Sequence, residues 1–242
     1  AYIEHQSAMA LLQRDAQQIA NCAELLRRLH SGPDFPVFPD VFAMIQEGIE
    51  RLTRLEIRLP GLIGELLAAF EPVRRALQPH LTLAPCHNDL NPGNVLYDGT
   101  QLWLVDWEGA CMADPMYDLA SLIHWFALDA RQEAALLKAY FGRIPSQREL
   151  AKLTLMKQVS WCFHTIVFFL FSFEDAGLNA IASIDREQLP SFVRALKAIG
   201  TGELRLQEAA ARQRLSLIIA KQALDEMQQP AFSQALAYLT ER

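Results

Sequence analysis

Residues 87–94 read HNDLNPGN, and a little further along the chain residues 105–108 read VDWE. The apolar residues 95–97 and 102–105 lie between these two stretches and flank Asp98-Gly99. An Asp-Gly pair between apolar runs is a strong signal for the tight turn of a β-hairpin. The sequence therefore predicts one hairpin with polar residues at its open end.

These polar residues have the chemistry of a magnesium and phosphate site. A hairpin brings its two ends together, so we expect Asp106 to lie near Asn94, and both to lie near Asp89. Amide and carboxylate oxygens suit Mg²⁺, and a further carboxylate can orient a hydroxyl and accept its proton. Asp, Asn, Pro and Gly are also ordinary loop residues. Under that alternative, however, the spacing of His87, Asp89, Asn94 and Asp106 would be a coincidence.

Helical periodicity surrounds the hairpin on both sides. Ser7 is the predicted N-cap of a helix that ends at Gly32-Pro33, and Asp40 is predicted to begin a second helix. Ser146 and Glu149 have the spacing of a capping box at the start of a long helix. Other helices are predicted at about residues 62–77, 115–126, 131–141, 187–199, 203–226 and 230–240. The expected fold class is mainly α with a small β-hairpin.

Composition narrows the functional classes. The 242 residues carry a formal charge of −6 and are 51% hydrophobic, and they contain no basic run, which argues against a nucleic-acid partner. A cationic substrate is compatible with this charge. The four widely spaced cysteines indicate free thiols in a reducing, cytoplasmic protein rather than a zinc site. The apolar run 159–173 is shorter than the ~20 residues of a membrane span and predicts a buried core helix, so no membrane partner is expected.

Residues 87–94 resemble the HxDxxxxN catalytic loop of the aminoglycoside phosphotransferase and choline kinase group. Residues 105–110 and 114–120, VDWEGA and DPMYDLA, are similar to the choline/ethanolamine kinase signature, in which an IDWEYAG-like stretch precedes a DxxxDLA-like one. Gly109 departs from this signature, which usually has Tyr or a similar residue there. Leu29-His30 before Gly32-Pro33 also resembles the helix end that these families place ahead of the catalytic loop.

The resemblance implies the C-terminal lobe of a protein kinase-like (α+β) fold, which uses ATP and Mg²⁺. Asp89 would be the catalytic base, and Asn94 and Asp106 the Mg²⁺ ligands. His87 would brace the catalytic loop, and Asp118 would hold the backbone of that loop from the following helix. The alternative for Asp118 is a carboxylate in the first turn of a helix, where the helix dipole favours it.

The implied acceptor is a small amino alcohol such as choline or ethanolamine, with thiamine and aminoglycosides as alternatives. Aromatic faces and a carboxylate bind a quaternary ammonium group. The candidates for this role are Trp107, Glu108, Trp125, Trp161 and His164. His164 stands where choline kinases have the second of two tryptophans, and the alternative for Trp161 is a core residue at helical spacing.

A kinase of this type also needs a phosphate-binding loop and a lysine, and neither is recognisable before Asp89. Tyr2, Ile3 and Glu4 resemble the hinge strand that contacts adenine. We therefore expect residues 1–6 to be a hinge segment, and residues 7–242 to be the helical C-terminal lobe with the catalytic loop and metal-binding hairpin at 81–110. The N-terminal β-rich lobe is expected to be absent from this chain, which alone would then be inactive.

Two other classes stay open: a non-catalytic kinase-like binding domain, which the missing lobe favours, and a metal-dependent hydrolase. The second has little support, because no further His or Asp ligands lie nearby in the sequence. The sequence carries no indication of the oligomeric state.

Overall fold

The computed structural model describes residues 6–174 and 185–241, and most of these residues are helical. In this part of the chain the helices are α1 Met9–Leu12, α2 Ala16–His30, α3 Val41–Arg54, α4 Gly61–Leu77, α5 Pro115–Trp125, α6 Ala130–Phe141, α7 Gln147–Glu174, α8 Phe192–Gly200, α9 Ala209–Met227 and α10 Pro230–Thr240. The strands are β1 Gln6–Ser7, β2 Ala84–Cys86, β3 Val95–Tyr97, β4 Leu102–Leu104 and β5 Cys111–Ala113. The prediction of a mainly α fold is confirmed.

Capping side chains set the starts of several helices. Asp40 accepts a hydrogen bond from the N–H of Ala43 at 2.9 Å and begins α3, as predicted. Ahead of α7, the N–H of Ser146 donates to the Glu149 carboxylate at 2.7 Å, and the N–H of Glu149 donates to Ser146 Oγ at 3.3 Å. This reciprocal pair is the predicted capping box, which satisfies two otherwise unpaired donors.

The first predicted helix is wrong in one respect, because the chain forms two helices there rather than one. Asp15 has an extended backbone, with φ −124° and ψ 108°, and its side chain accepts from the N–H of Gln17 at 2.8 Å. An aspartate in this conformation begins a new helix. Ser7 therefore precedes only the single turn of α1, and α2 ends at His30 before Gly32-Pro33 as expected.

The β structure is more extensive than the single predicted hairpin. Strands β3 and β4 form that hairpin, with Val95 opposite Leu104 and Tyr97 opposite Leu102, and β1 adds to β3 in an antiparallel sheet. A separate antiparallel ribbon pairs β2 with β5. Strands of two or three residues have no alternation that a sequence pattern can detect. The ribbon frames the polar loop, since β2 ends at Cys86 and β5 begins at Cys111.

The chain divides into two compact units, one of residues 1–38 and 80–157 and one of residues 39–79 and 158–242. Fully buried apolar side chains form a core in each, at about 1.5–3 kcal/mol for each large side chain removed from water. The first core includes Leu26, Leu90, Leu119, Phe126 and Leu136. The second includes Ile63, Leu66, Val73, Leu215 and Ile219. The polar loop and the hairpin belong to the first unit.

Helix α7 contains the apolar run 159–173. Among the described residues, Gln147–Phe173 is long and apolar enough to cross a membrane by length and composition, and 67% of its most apolar window is buried inside the protein. A mostly buried helix of this kind is typical of a protein core.

Candidate active site

The polar loop 87–94 connects β2 to β3 through a tight turn. Asn91 Oδ1 accepts from the N–H of Gly93 at 2.7 Å, and the backbone carbonyl of Asn91 accepts from the N–H of Asn94 at 3.0 Å. Asn88 has a left-handed backbone, with φ 65°, a conformation that asparagine tolerates better than most residues. These local bonds return the chain on itself and bring Asn94 back towards Asp89.

Asp89 and Asn94 are joined directly. Nδ2 of Asn94 donates to Asp89 Oδ2 at 2.7 Å and to the Asp89 carbonyl oxygen at 2.9 Å. Asn91 Nδ2 donates to the other carboxylate oxygen, Asp89 Oδ1, at 3.0 Å. The carboxylate of Asp89 is therefore held in one orientation while the residue stays half-buried. Because Nδ2 of Asn94 makes these bonds, its Oδ1 atom is the one suited to a metal ion.

His87 is fully buried and connects the loop to the end of the hairpin. Its Nε2 donates to the Val105 carbonyl at 2.9 Å, while its Nδ1 accepts from the N–H of Asp89 at 3.3 Å. This pattern assigns the neutral tautomer that carries its proton on Nε2. The Trp107 ring packs against the His87 ring, with 4.8 Å between centroids. The imidazole thus fixes the distance between the loop and the strand end.

Asp106 follows strand β4 and is exposed. The N–H of the preceding Val105 donates to the Asn94 carbonyl at 3.0 Å, so Asp106 follows a residue that is bonded to both His87 and Asn94. Asp106 has φ 64° and ψ 71°, a left-handed conformation. Such backbone strain in a residue other than glycine is common at functional sites. Oxygen donors of this kind fit Mg²⁺, which typically takes only one or two protein carboxylates.

Asp118 lies in the first turn of α5 and is fully buried. Its carboxylate accepts from the backbone N–H groups of His87 at 2.8 Å and of Asn88 at 2.7 Å. His30 Nε2 lies 3.0 Å from the same carboxylate, and its Nδ1 lies 2.7 Å from the Tyr140 hydroxyl. The Asp118 carboxylate therefore ties the start of the loop to helix α5.

His30 and Tyr140 belong to this network although the sequence does not predict it. His30 stood out only as a helix end, and its partner Asp118 is 88 residues away in sequence. Asn88 was also missed, although its Nδ2 donates to the Gly109 carbonyl at 3.0 Å. These residues meet only in the folded protein, and no pattern in the sequence connects them.

His30, Cys86 and Asp118 offer ligand atoms within 4.8 Å of one another. Their chemistry favours a hydrogen-bond network over a metal centre. Both carboxylate oxygens of Asp118 already accept backbone N–H groups. Burial, together with the Asp118 and Asp114 carboxylates, raises the pKa of the Cys86 thiol far above its usual range, and a protonated thiol is a poor ligand.

Three of the predicted substrate-binding residues lie in the same unit as the loop. Trp107 is 43% exposed, and its Nε1 donates to the Leu104 carbonyl at 3.1 Å. Glu108 is exposed in the same short 3₁₀ turn, Trp107–Gly109. Trp125 is the last residue of α5 and is buried. Of the three, Trp107 and Glu108 therefore present surface that a ligand can reach.

Trp161 and His164 belong to the second unit, where both are buried. The indole N–H of Trp161 donates to Glu226 at 2.9 Å, and its ring contacts that of Phe192 with 4.8 Å between centroids. His164 Nδ1 lies 2.7 Å from the Ser160 carbonyl, one turn back along α7. An acceptor-binding role for these two residues stays a prediction. Tyr2, Ile3 and Glu4, the predicted adenine-binding residues, lie outside the described residues.

Two curated proteins are similar to parts of this chain. The chain is 29% identical to LicA of Haemophilus influenzae strain Rd over 145 residues, which are 57% of this chain and 53% of LicA. It is 36% identical to homoserine kinase of Pseudomonas aeruginosa strain LESB58 over 109 residues, which are 42% of this chain and 34% of that protein. The chain thus spans about half of LicA and a third of the homoserine kinase.

The fold is similar to that of a choline/ethanolamine kinase family protein from Mesorhizobium loti. The TM-score is 0.74 at 25% identity, covering 98% of this chain and 71% of that one. The resemblance found in residues 87–120 is therefore confirmed. The model of the phosphotransferase enzyme family, APH, matches residues 2–153. Since this match covers more than half of the chain and includes the loop, the hairpin and α5, the chain belongs to the phosphotransferase enzyme family.

Proposed function

We propose that this protein transfers a phosphoryl group from ATP to the hydroxyl of a small amino alcohol, with Asp89 as the base and Asn94 and Asp106 as Mg²⁺ ligands. The observation that carries the proposal is the bonded arrangement of Asp89 and Asn94, tied through His87 and Val105 to the strand end that bears Asp106. Family membership supports the reaction class. It leaves the acceptor open.

In the proposed step, the acceptor hydroxyl lies against the Asp89 carboxylate and gives up its proton to it. The hydroxyl oxygen forms a bond to the γ-phosphorus as the bond from that phosphorus to the β,γ-bridging oxygen breaks, and ADP leaves. Bonds from Asn91 and Asn94 keep the carboxylate aimed at the hydroxyl. Holding the reactants in place is the main protein contribution to phosphoryl transfer.

The metal ligands divide the charge of the site between them. Mg²⁺, when bound with the nucleotide, neutralises charge on the β- and γ-phosphates. Asn94 supplies an oxygen without adding negative charge beside those phosphates, whereas Asp106 supplies the carboxylate. Asn94 is buried, and its Nδ2 donates both to the Asp89 carboxylate and to the Asp89 carbonyl oxygen, so the second bond still holds Asn94 when the carboxylate is changed.

Choline is the first acceptor to test. A protein of similar structure is a choline/ethanolamine kinase family protein, and the exposed face of Trp107 beside Glu108 suits a cationic group. Homoserine, the substrate in the name of a second relative, also carries an amine and a hydroxyl. Ethanolamine is tested beside choline, and thiamine and aminoglycosides are the remaining alternatives.

The second candidate is a kinase-like domain that binds its ligand without turnover. The bonded pair of Asp89 and Asn94, with Asp106 at the end of the hairpin, favours the enzyme over this candidate. A panel of choline, ethanolamine, homoserine, thiamine and an aminoglycoside, assayed for ADP release by the full-length gene product, separates the two. Binding of an acceptor with no ADP release under any condition would support the binding domain.

The base assignment is tested with Asp89→Asn in the full-length gene product. We expect kcat to fall by at least about 100-fold, because general-base catalysis typically contributes 10²–10⁴-fold, while Mg·ATP binding stays within a few-fold. Asp129→Asn is the matched control, since Asp129 caps α6 and asparagine caps equally well. Turnover retained by Asp89→Asn would show that Asp89 is not the base.

A further inference from the structure

We propose that Lys152 is a positioning residue for the catalytic loop, acting through Asp114 and helix α5. The effect of Lys152 on kcat rests on the proposed function, whereas its effect on how well the loop is ordered does not. Lys152 lies on α7, and its Nζ forms an ion pair with Asp114 Oδ2 at 2.5 Å. The same Nζ donates to Thr82 Oγ1 at 3.2 Å. Lysine and aspartate are each 7% exposed, so this is a buried pair.

Asp114 connects the lysine to two neighbouring elements. Its Oδ1 accepts from the N–H of Met116 at 3.0 Å and caps α5. Its Oδ2 accepts from the backbone N–H of Thr82 at 2.8 Å and from Thr82 Oγ1 at 3.2 Å. Thr82 is two residues before strand β2. The Asp114 carboxylate thus caps α5 and also binds Thr82, just ahead of β2.

Asp118 lies four residues further along α5 and holds the exit from the same strand, through the N–H groups of His87 and Asn88. Helix α5 therefore holds both ends of β2, the three-residue strand that leads into the catalytic loop. A shift of Asp114 moves the start of α5 and the approach to β2 together, and Asp118 carries that shift to His87. The position of the loop therefore depends on the bonds of Asp114 to Thr82 as well as on those of Asp118 to His87 and Asn88.

Charge explains why a lysine is needed at this place. Two buried carboxylates one helical turn apart repel each other, and a buried carboxylate without a partner is costly. His30 contacts Asp118, and Lys152 supplies the positive charge for Asp114. Without Lys152, Asp114 is left as an unpaired buried charge and is driven towards solvent, which releases Thr82. Misplacement of about 1 Å can lower a rate by as much as 10²-fold.

The test compares Lys152→Met and Lys152→Arg in the full-length gene product, with Lys157→Met as the matched control. Lys157 lies on the same helix and forms an ion pair at 2.6 Å with Glu133, a residue of α6 and not of β2 or the loop. For Lys152→Met we expect kcat to fall about 10-fold or more, with the KM values for ATP and acceptor within twofold. Amide hydrogen exchange in residues 82–94 should accelerate. Lys152→Arg should recover most of both, and Lys157→Met should change neither.

The outcomes separate positioning from simple stabilisation. A folded Lys152→Met with wild-type kcat and wild-type exchange at 82–94 would overturn the proposal, as would equal losses in Lys157→Met. If Lys152→Met does not fold, the double variant Lys152→Met with Asp114→Asn removes both buried charges. Full recovery of kcat and exchange in that variant would show that the pair is only structural, whereas lowered kcat at wild-type Tm supports positioning. If the wild-type protein transfers no phosphate, the proposed function fails, and hydrogen exchange alone decides the role of Lys152.

Discussion

The carboxylate of Asp118 is fully buried, and hydrogen bonds to His87, Asn88 and His30 offset the hydration that it loses. Asp89 is half-buried with its orientation fixed by two asparagines, and Asp106 is exposed. The same residue type is thus suited to three jobs by its surroundings. In the proposed function, the buried carboxylate holds the loop backbone, the fixed and accessible one accepts a proton, and the exposed one binds a cation.

Asp106 permits a prediction that separates backbone strain from metal binding. Its φ of 64° suits glycine and disfavours alanine. We expect Asp106→Gly to be more stable than Asp106→Ala by about 1 kcal/mol in urea unfolding, because only alanine strains this backbone. Both variants should lose Mg²⁺-dependent phosphotransfer, since neither keeps the carboxylate.

The control is the same pair of substitutions at Asp34, which is exposed and is not among the described residues with positive φ. There alanine should be the more stable by a few tenths of a kcal/mol, because glycine gives the unfolded chain more freedom. Equal stability of the two Asp106 variants would show that the fold does not impose the left-handed conformation. Phosphotransfer retained by either would remove Asp106 from the metal site.

At the scale of elements, helices were predictable where a capping side chain marks their start. Asp40 and the pair Ser146 and Glu149 carry that signal within a few residues of sequence. Asp15 was missed because the apolar stripe continues across it, although a capping aspartate interrupts the helix. The short strands β1, β2 and β5 were unpredictable for a different reason, since pairing with a distant strand defines them and no local pattern does.

Close packing of α3 against α7 within the second unit gives a second prediction. A Cβ atom built on Gly48 would lie 2.5 Å from Cγ2 of Ile166, closer than real contacts allow. Gly48→Ala gains about 1 kcal/mol of helix propensity but loses more through overpacking, which typically costs 1–3 kcal/mol. We therefore expect net destabilisation, seen as a lower urea midpoint with an unchanged m-value.

Gly64 is the matched control, because it lies inside α4 of the same unit and a Cβ there would meet nothing within 4 Å. Gly64→Ala should raise stability by about 0.5–1 kcal/mol through helix propensity alone. If Gly48→Ala is as stabilising as Gly64→Ala, then α3 and α7 have room to separate, and the contact at Gly48 does not limit their approach.

At the scale of the whole molecule, the candidate site was predictable only where it is local in sequence. Asp89, Asn94 and Asp106 fall within twenty residues, on one loop and at the end of one hairpin, so their spacing predicts that they lie together. His30, Tyr140 and Lys152 lie on three separate helices and contact Asp118, His30 and Asp114, not the loop itself. Such contacts follow from how α2, α6 and α7 pack, and no short sequence motif predicts them.

Binding of Mg²⁺ and nucleotide should be visible in the stability of the full-length gene product. A ligand that binds only the folded state at 100 times its Kd adds about 2.7 kcal/mol. We expect ADP with Mg²⁺ to raise Tm more than ADP alone, and EDTA to remove the difference. Asp106→Asn should lose the Mg²⁺-dependent part of the shift, because it loses the charge that the cation needs.

Asp89→Asn should keep that shift, since Asp89 is assigned to the acceptor hydroxyl and not to the metal. Each variant replaces one carboxylate oxygen by an amide NH₂ group within the same candidate site. A general loss of folding therefore cannot explain opposite results. A Mg²⁺-dependent shift that survives in Asp106→Asn but disappears in Asp89→Asn would exchange the two roles. In that case the half-buried carboxylate held by Asn91 and Asn94 is the metal ligand, and the base must be sought elsewhere.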